Sequence, residues 1–312
     1  MSALPWMIMA AGSLAADYTN PVPQPCAVNP AHHFRIQFEN DSAIDRDEKY
    51  THGTRLDYMQ ELSHGLKAGA SLMQNIYTPE RHSRHANPGE HPYAGVLALG
   101  GIVQGEGEKI GFTDELQLGV MGKHSYAKEC QNNLHNACDM TTWDGWKDQV
   151  PSEVVLQSST RIDFNVPVNS PHADGLVYLR EEVGNMRIAS GIGTAFRVGR
   201  NLPQTNLVIG NRAGNVGTGA LTRKYDPNAL SYYLLAQAEV GYVARDFSVD
   251  GGMFHHFDQT CSRVPWQGQF TLGAGLAHQG IDYFMGVVYS TKTYRTENNE
   301  HLYGTFSVQW NW

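Results

Sequence analysis

Two short runs of side chains carry the groups that hydrolytic chemistry needs. The first is Glu39-Asn40-Asp41, followed by Asp45, Asp47 and Tyr50-Thr51-His52-Gly53. Carboxylates, an amide and a hydroxyl at this density offer the hard oxygen donors that calcium takes, about six to eight at a time. A solvated acidic hairpin loop accounts for the same spacing, so the run alone defines a candidate. The second run is Glu129-Cys130-Gln131-Asn132-Asn133-Leu134-His135. If 127–136 is helical, Gln131 and His135 stand at i and i+4 and share a face. Histidine titrates near neutrality, which makes His135 a candidate general base. The chain has 14 histidines, so the residue type does not single this one out. No Gly-x-Ser-x-Gly elbow, His-Glu-x-x-His pair, Walker loop or Cys-x-x-Cys pair is present.

These runs must be held by something, and the chain around them alternates with period two. In 301–312 the even positions are Leu302, Gly304, Phe306, Val308, Trp310 and Trp312, and the odd ones are His301, Tyr303, Thr305, Ser307, Gln309 and Asn311. One face can meet lipid while the other lines a polar interior. The same division recurs in twelve segments, placed at 33–40, 50–62, 68–77, 93–104, 112–121, 153–165, 174–186, 191–200, 231–245, 266–277, 282–294 and 300–312. Repeated alternation in segments of about ten residues marks a transmembrane β-barrel, here an all-β, antiparallel barrel of twelve strands. An even count puts both termini on the periplasmic side. Exterior loops are then expected at 41–49, 78–92, 122–152, 187–190, 246–265 and 295–299, and both candidate runs fall in or beside them. The Gly- and Asn-rich stretch 201–230 falls on the periplasmic side and reads as irregular.

Composition narrows the class. Charged residues make up 17% of the 312, against about 25% in ordinary soluble domains. Yet mean hydropathy is −0.40, and no apolar run approaches the ~20 residues of a membrane helix, which excludes a helical membrane protein. A hydrophobic fraction of 41% excludes a disordered chain. A net charge of −8 gives no electrostatic support for nucleic-acid binding. Residues 1–16 are apolar and end in small residues, so they read as a secretory signal peptide without the usual early Lys or Arg. Residues 17–32 then form a periplasmic segment and 33–312 a single barrel domain. Of four cysteines, Cys130 and Cys138 are the favoured disulfide pair. A continuous helix would hold them roughly 12 Å apart, beyond disulfide reach, so the bond requires the helix to end near Asn136. Parity separates Cys26 from Cys261.

The order of the motifs resembles a known family. Asn40-Asp41, Tyr50-Thr51-x-Gly53, Gln74-x-x-Tyr77-x-Pro79, Pro92-Tyr93-Ala94-Gly95, Gln131-Asn132-x-x-His135, Trp146-x-Asp148-Gln149 and Asp250-Gly251 with Phe254 follow the order seen in outer-membrane lipid A 3'-O-deacylases. The resemblance implies a calcium-dependent hydrolase that removes the 3'-linked acyloxyacyl chain from lipid A of lipopolysaccharide in the outer leaflet. It implies lipid A and outer-membrane lipids as partners and a monomeric barrel in the outer membrane with its site facing out. By position, His135 corresponds to the catalytic histidine, Asn40 and Asp41 to the essential amide and acid beside calcium, Thr51 to the site threonine, and Gln131 to the glutamine one turn before the histidine. A family lysine in the second exterior loop has no lysine counterpart, since 78–92 offers Arg81, Arg84 and several histidines. The alternatives are an outer-membrane phospholipase acting on glycerophospholipids and a non-catalytic pore or scaffold.

Overall fold

The alternating segments form twelve strands in a computed structural model that describes residues 31–41, 48–63, 65–80, 89–137, 139, 141–203 and 225–312. They are β1 (His32–Asn40), β2 (Lys49–Ser63), β3 (Leu66–Thr78), β4 (Ala94–Gly105), β5 (Ile110–Met121), β6 (Glu153–Val166), β7 (Ala173–Gly184), β8 (Arg187–Arg200), β9 (Ser231–Asp246), β10 (Trp266–His278), β11 (Ile281–Ser290) and β12 (His301–Asn311). Each pairs antiparallel with its sequence neighbours, and β1 pairs with β12, so the barrel is closed. Closure satisfies the backbone polar groups of every strand without an edge, the condition for crossing hydrocarbon. Residues 1–30 of the expected N-terminal segments, Cys26 among them, and Asp45, Asp47, Arg81, Arg84, Cys138 and 204–224, lie outside the described residues, whereas His32, expected before the barrel, opens β1.

Two strand ends differ from the alternation by four residues, the others by at most two. The eighth strand begins at Arg187 instead of 191, which shrinks its connection from β7 to Asn185 and Met186. There the Asn185 amide accepts from Leu156 N–H at 2.9 Å and donates to the Val154 carbonyl at 2.7 Å, replacing a longer loop. The eleventh strand stops at Ser290, short of the expected 294. The Glu297 carboxylate takes the N–H groups of Thr293 and Tyr294, which a continuing strand would have given to its neighbour.

Pleating sorts the side chains as the sequence implied. Outward positions stay exposed and apolar, including Leu99, Leu118, Val154, Leu234, Trp266 and Met285. Inward positions are polar and buried, and their charges are paired. Arg35 meets Asp57 at 2.5 Å, Arg55 bridges Asp57 at 2.7 Å and Glu115 at 2.9 Å, and Arg197 meets Asp174 at 2.8 Å. Losing one member of such a pair leaves an uncompensated buried charge, a cost of about 3–5 kcal/mol. The pairs therefore hold the interior together in place of an apolar core.

At the rim reached by the odd-numbered strands the interior turns apolar. Tyr50, Met73, Tyr77, Met121, Val150, Phe247, Val288 and Tyr303 form one buried cluster drawn from strands and loops around the barrel. Phe247, on a short helix α2 (Phe247–Asp250) that follows β9, packs edge-on against Tyr77 of β3. This layer is the floor on which the site loops rest.

Candidate active site

The first candidate run lies at the β1–β2 hairpin. Asp41 follows directly on β1 and is fully buried; its N–H donates to the Thr51 carbonyl at 3.3 Å, and its Oδ2 accepts the Glu48 N–H at 2.7 Å. The backbone thus brings Asp41 and Thr51 together although ten positions separate them in sequence. Asn40 pairs in register with His52, and its Nδ2 lies 3.4 Å from His52 Nδ1, which turns its amide oxygen the other way.

Thr51 owes its position to a β-bulge. Tyr50 pairs with Tyr77 and His52 with Ile76, so Thr51 is the extra residue of β2. Such an insertion re-aims side chains at a barrel rim. Both Tyr50 and Thr51 are buried. Thr51 Oγ1 is hydrogen-bonded at 2.6 Å to Thr78 Oγ1 at the end of β3. Tyr50 drops into the interior and donates to Glu39 Oε2 at 2.6 Å. A Cβ on Gly53 would collide with the Tyr50 hydroxyl, and this explains the glycine of Tyr50-Thr51-x-Gly53.

The second run is helical, as its spacing predicts. Helix α1 (Ala127–Ala137) buries Ala127, Gln131 and His135 on one stripe. Its first turn abuts β4 so closely that a Cβ on Gly95 would strike Ala127 Cβ and Ser125 Oγ. Trp146, fully buried in a 3-10 turn (Asp144–Asp148), donates its indole N–H to Gln131 Oε1 at 3.0 Å and packs on Tyr93 with ring centroids 4.9 Å apart. Gln74 of β3 donates to the Ser125 carbonyl at 2.7 Å. Several of the short motifs therefore serve one purpose, which is to clamp α1 to the wall. The sequence marked Tyr93 and Trp146 only as motif members; the two tryptophans Trp143 and Trp146 in a polar loop were the available signal of a buried anchor.

His135 is 5% exposed, and its Nδ1 lies 2.6 Å from the Thr141 carbonyl oxygen. A carbonyl only accepts, so Nδ1 carries a proton, and in the neutral ring the lone pair is on Nε2. An imidazole in this tautomer is set up to take a proton at Nε2. Cys130, on the same helix, is an exposed free thiol, and α1 continues through Ala137. The partner expected for Cys130, Cys138, lies outside the described residues.

Asn40, Asp41 and Thr51 occupy the β1–β2–β3 sector of the rim, and Gln131 and His135 the adjoining sector above β3 and β4. The link between them is β3, whose Thr78 holds Thr51 while Ile76 packs with Ala127 and Trp146. For calcium the donor set fits in kind, with a carboxylate, an amide oxygen and a hydroxyl. Among the described residues no three His, Cys, Asp or Glu side chains converge, so neutral oxygens would have to supply much of the coordination.

Sequence reasoning missed one further cluster. Lys49, in the left-handed region at φ 64°, buries its ammonium 3.5 Å from Glu80 and 3.2 Å from Glu297. Burial would push the Glu80 carboxyl up, but hydrogen bonds from Tyr294 and Asn298 and the charge of Lys49 outweigh it and hold the group below the usual carboxylate range. This cluster joins the start of β2 to the loops after β3 and β11 beside the site.

Fold and site together define an outer-membrane β-barrel with a histidine-bearing helix clamped to its rim. The family model described as outer membrane protein LpxR matches residues 4–312, and the chain belongs to this family, that of the lipid A 3'-O-deacylases. The solved structure of LpxR from Salmonella typhimurium superimposes with a TM-score of 0.77 at 18% identity, covering 90% of this chain and 100% of that one. The translocator domain of the autotransporter NalP from Neisseria meningitidis aligns over 99% of this chain and 98% of its own, at 10% identity and a TM-score of 0.45. No curated protein matches in sequence.

Proposed function

We propose that the protein hydrolyses the ester that attaches the 3'-linked acyloxyacyl chain to lipid A, with its site facing the outer leaflet and calcium as cofactor. The observation that carries this reading is His135, held on α1 with Nδ1 donating to the Thr141 carbonyl in a chain of the LpxR family. Nε2 takes a proton from water as the water oxygen attacks the ester carbonyl carbon. The tetrahedral intermediate then collapses, the sugar alkoxide leaves, and the proton on Nε2 passes to it. A positioned base of this kind contributes about 10²–10⁴-fold. Asn40 and Asp41 would hold calcium, which when bound supplies Lewis-acid polarisation of the carbonyl. Thr51, fixed by Thr78, lines the same sector.

A glycerophospholipid would present the same ester to the same histidine, so phospholipase activity is the second reading. The pore reading is disfavoured by the apolar layer across the site rim and by the pairing of interior charges.

The test is mass spectrometry of lipid A from cells with and without the protein. A species lighter by the 3' acyloxyacyl group, dependent on the protein, is expected. Unaltered lipid A alongside lysophospholipid would transfer the assignment to the second reading.

A further inference from the structure

We propose that Trp146 is a positioning residue that sets the polarity of the Gln131 side chain, so that Gln131 meets the substrate as a hydrogen-bond donor. The inference rests on the hydrolytic reading above and assigns a job within that site. An amide side chain has an accepting oxygen and a donating nitrogen that a 180° flip exchanges, and α1 alone favours neither arrangement. Trp146 removes the choice. Its indole nitrogen can only donate, and it lies 3.0 Å from Gln131 Oε1 with both residues buried. In the flipped amide, two donors would face each other in a place closed to water.

The indole cannot turn away to relieve such a clash. Its ring packs on Tyr93, which is itself fully buried, and the Tyr93 carbonyl accepts the Val150 N–H at 2.9 Å, tying down the segment that leads out of the 3-10 turn. With Oε1 committed to Trp146, the Nε2 edge of Gln131 points away from the indole. Gln131 and His135 lie one turn apart on the buried stripe of α1. Attack at a carbonyl carbon builds negative charge on its oxygen, and a donor fixed beforehand stabilises that charge without reorganising. The geometry gives Gln131 this role beside His135, with Trp146 acting only through it.

The experiment is a double-mutant cycle on purified, detergent-folded protein, with lipid A as substrate. Trp146→Phe keeps the aromatic plate on Tyr93 and removes the donor. It should lower kcat about tenfold with KM within about twofold, a fraction of the loss seen when an oxyanion donor is deleted outright. In a Gln131→Ala background the same substitution should change kcat by less than about twofold, since the residue through which it acts is gone. Gln131→Glu, which still accepts from the indole but has lost its donors, should be at least as impaired as Gln131→Ala. Independently of activity, the Trp146 indole N–H should exchange slowly with solvent and shift in the nitrogen-15 spectrum of Gln131→Ala. Wild-type kcat in Trp146→Phe, or an equal loss in both backgrounds, overturns the proposal and reduces Trp146 to support of the helix. A wild-type protein that releases no acyl chain from lipid A defeats the hydrolytic reading first, and the proposal with it.

Discussion

Phe247 and Tyr77 meet edge to face across the barrel mouth, with ring centroids 5.7 Å apart and planes at 89°. Tyr77 belongs to β3, and Phe247 follows β9, which stands six places away in the ring of twelve and so on the opposite wall. Edge-to-face geometry places the positive rim of one ring on the negative face of the other. His91 stacks on Tyr77 at 5.7 Å, adding a further ring to the same layer. The contact spans the lumen where the site loops begin, so their floor is braced from both sides.

A braced, apolar floor should not pass ions. Reconstituted in planar bilayers, the protein is expected to give no steady open-channel conductance. Phe247→Ala removes one side of the brace and should cost about 3–5 kcal/mol. Brief channel openings in the variant, absent from the wild type, would be its electrical signature. Sustained conductance by the wild type would overturn the reading of the floor as a seal.

Replacement of His135 tests the base. His135→Asn should fold into a heat-resistant barrel that runs faster unheated than boiled. It should lose about 10²–10⁴ of the rate of acyl-chain release. Retention of the wild-type rate by His135→Asn would remove the histidine from the mechanism.

Calcium is tested by removal and return. Chelation should abolish activity and added calcium restore it, whereas Asp41→Ala should stay inactive at calcium levels that saturate the wild type. Calorimetric titration of the detergent-folded protein supplies a second readout, with binding lost in Asp41→Ala. Full activity in excess chelator would leave Asp41 as the cap of the β1–β2 connection, where its carboxylate already accepts the Glu48 N–H.

Gly95 offers a way to displace the site without touching it. A side chain there collides with Ala127 and Ser125, so Gly95→Val should push the first turn of α1 off the wall. The barrel, paired strand to strand on all sides, should keep its heat resistance while activity falls at least tenfold, as expected when a catalytic group moves by about 1 Å. Equal loss of barrel stability and activity would mean that α1 is part of the barrel's folding unit.

The thiols should differ in reactivity. Burial pushes the Cys261 thiol up to about 12, helped by the carboxylates of Glu90 and Asp250, and its Sγ sits 2.7 Å from the Glu90 carbonyl. A thiol so rarely ionised reacts slowly. Maleimide at pH 7.5 should label exposed Cys130 in the folded protein and Cys261 only after denaturation. Failure of Cys130 to label without reductant, reversed by reductant, would point to a disulfide formed in the cell.

The alternation of residues such as Phe306 and Val308 against Ser307 and Gln309 determined the barrel and its strand count, because lipid on one side and a polar interior on the other impose a period of two on every strand. The i and i+4 spacing of Gln131 and His135 likewise determined their common helical face. What the linear order could not carry is where separate segments meet. Tyr50 faces inward, against its alternation with Arg55 and Asp57, because one extra residue, Thr51, interrupts the pairing of β2 with β3, and a bulge shows in the register of two strands but not in the pattern of one. The eleventh strand ends early because Glu297, seven residues beyond Ser290, captures the N–H groups of Thr293 and Tyr294. Trp146 finds Gln131 fifteen positions away, and Phe247 finds Tyr77 across the whole mouth. Such contacts depend on chain closure and loop packing, which bring distant residues together through tertiary geometry, whereas periodicity reports only which side of its own strand or helix a residue faces.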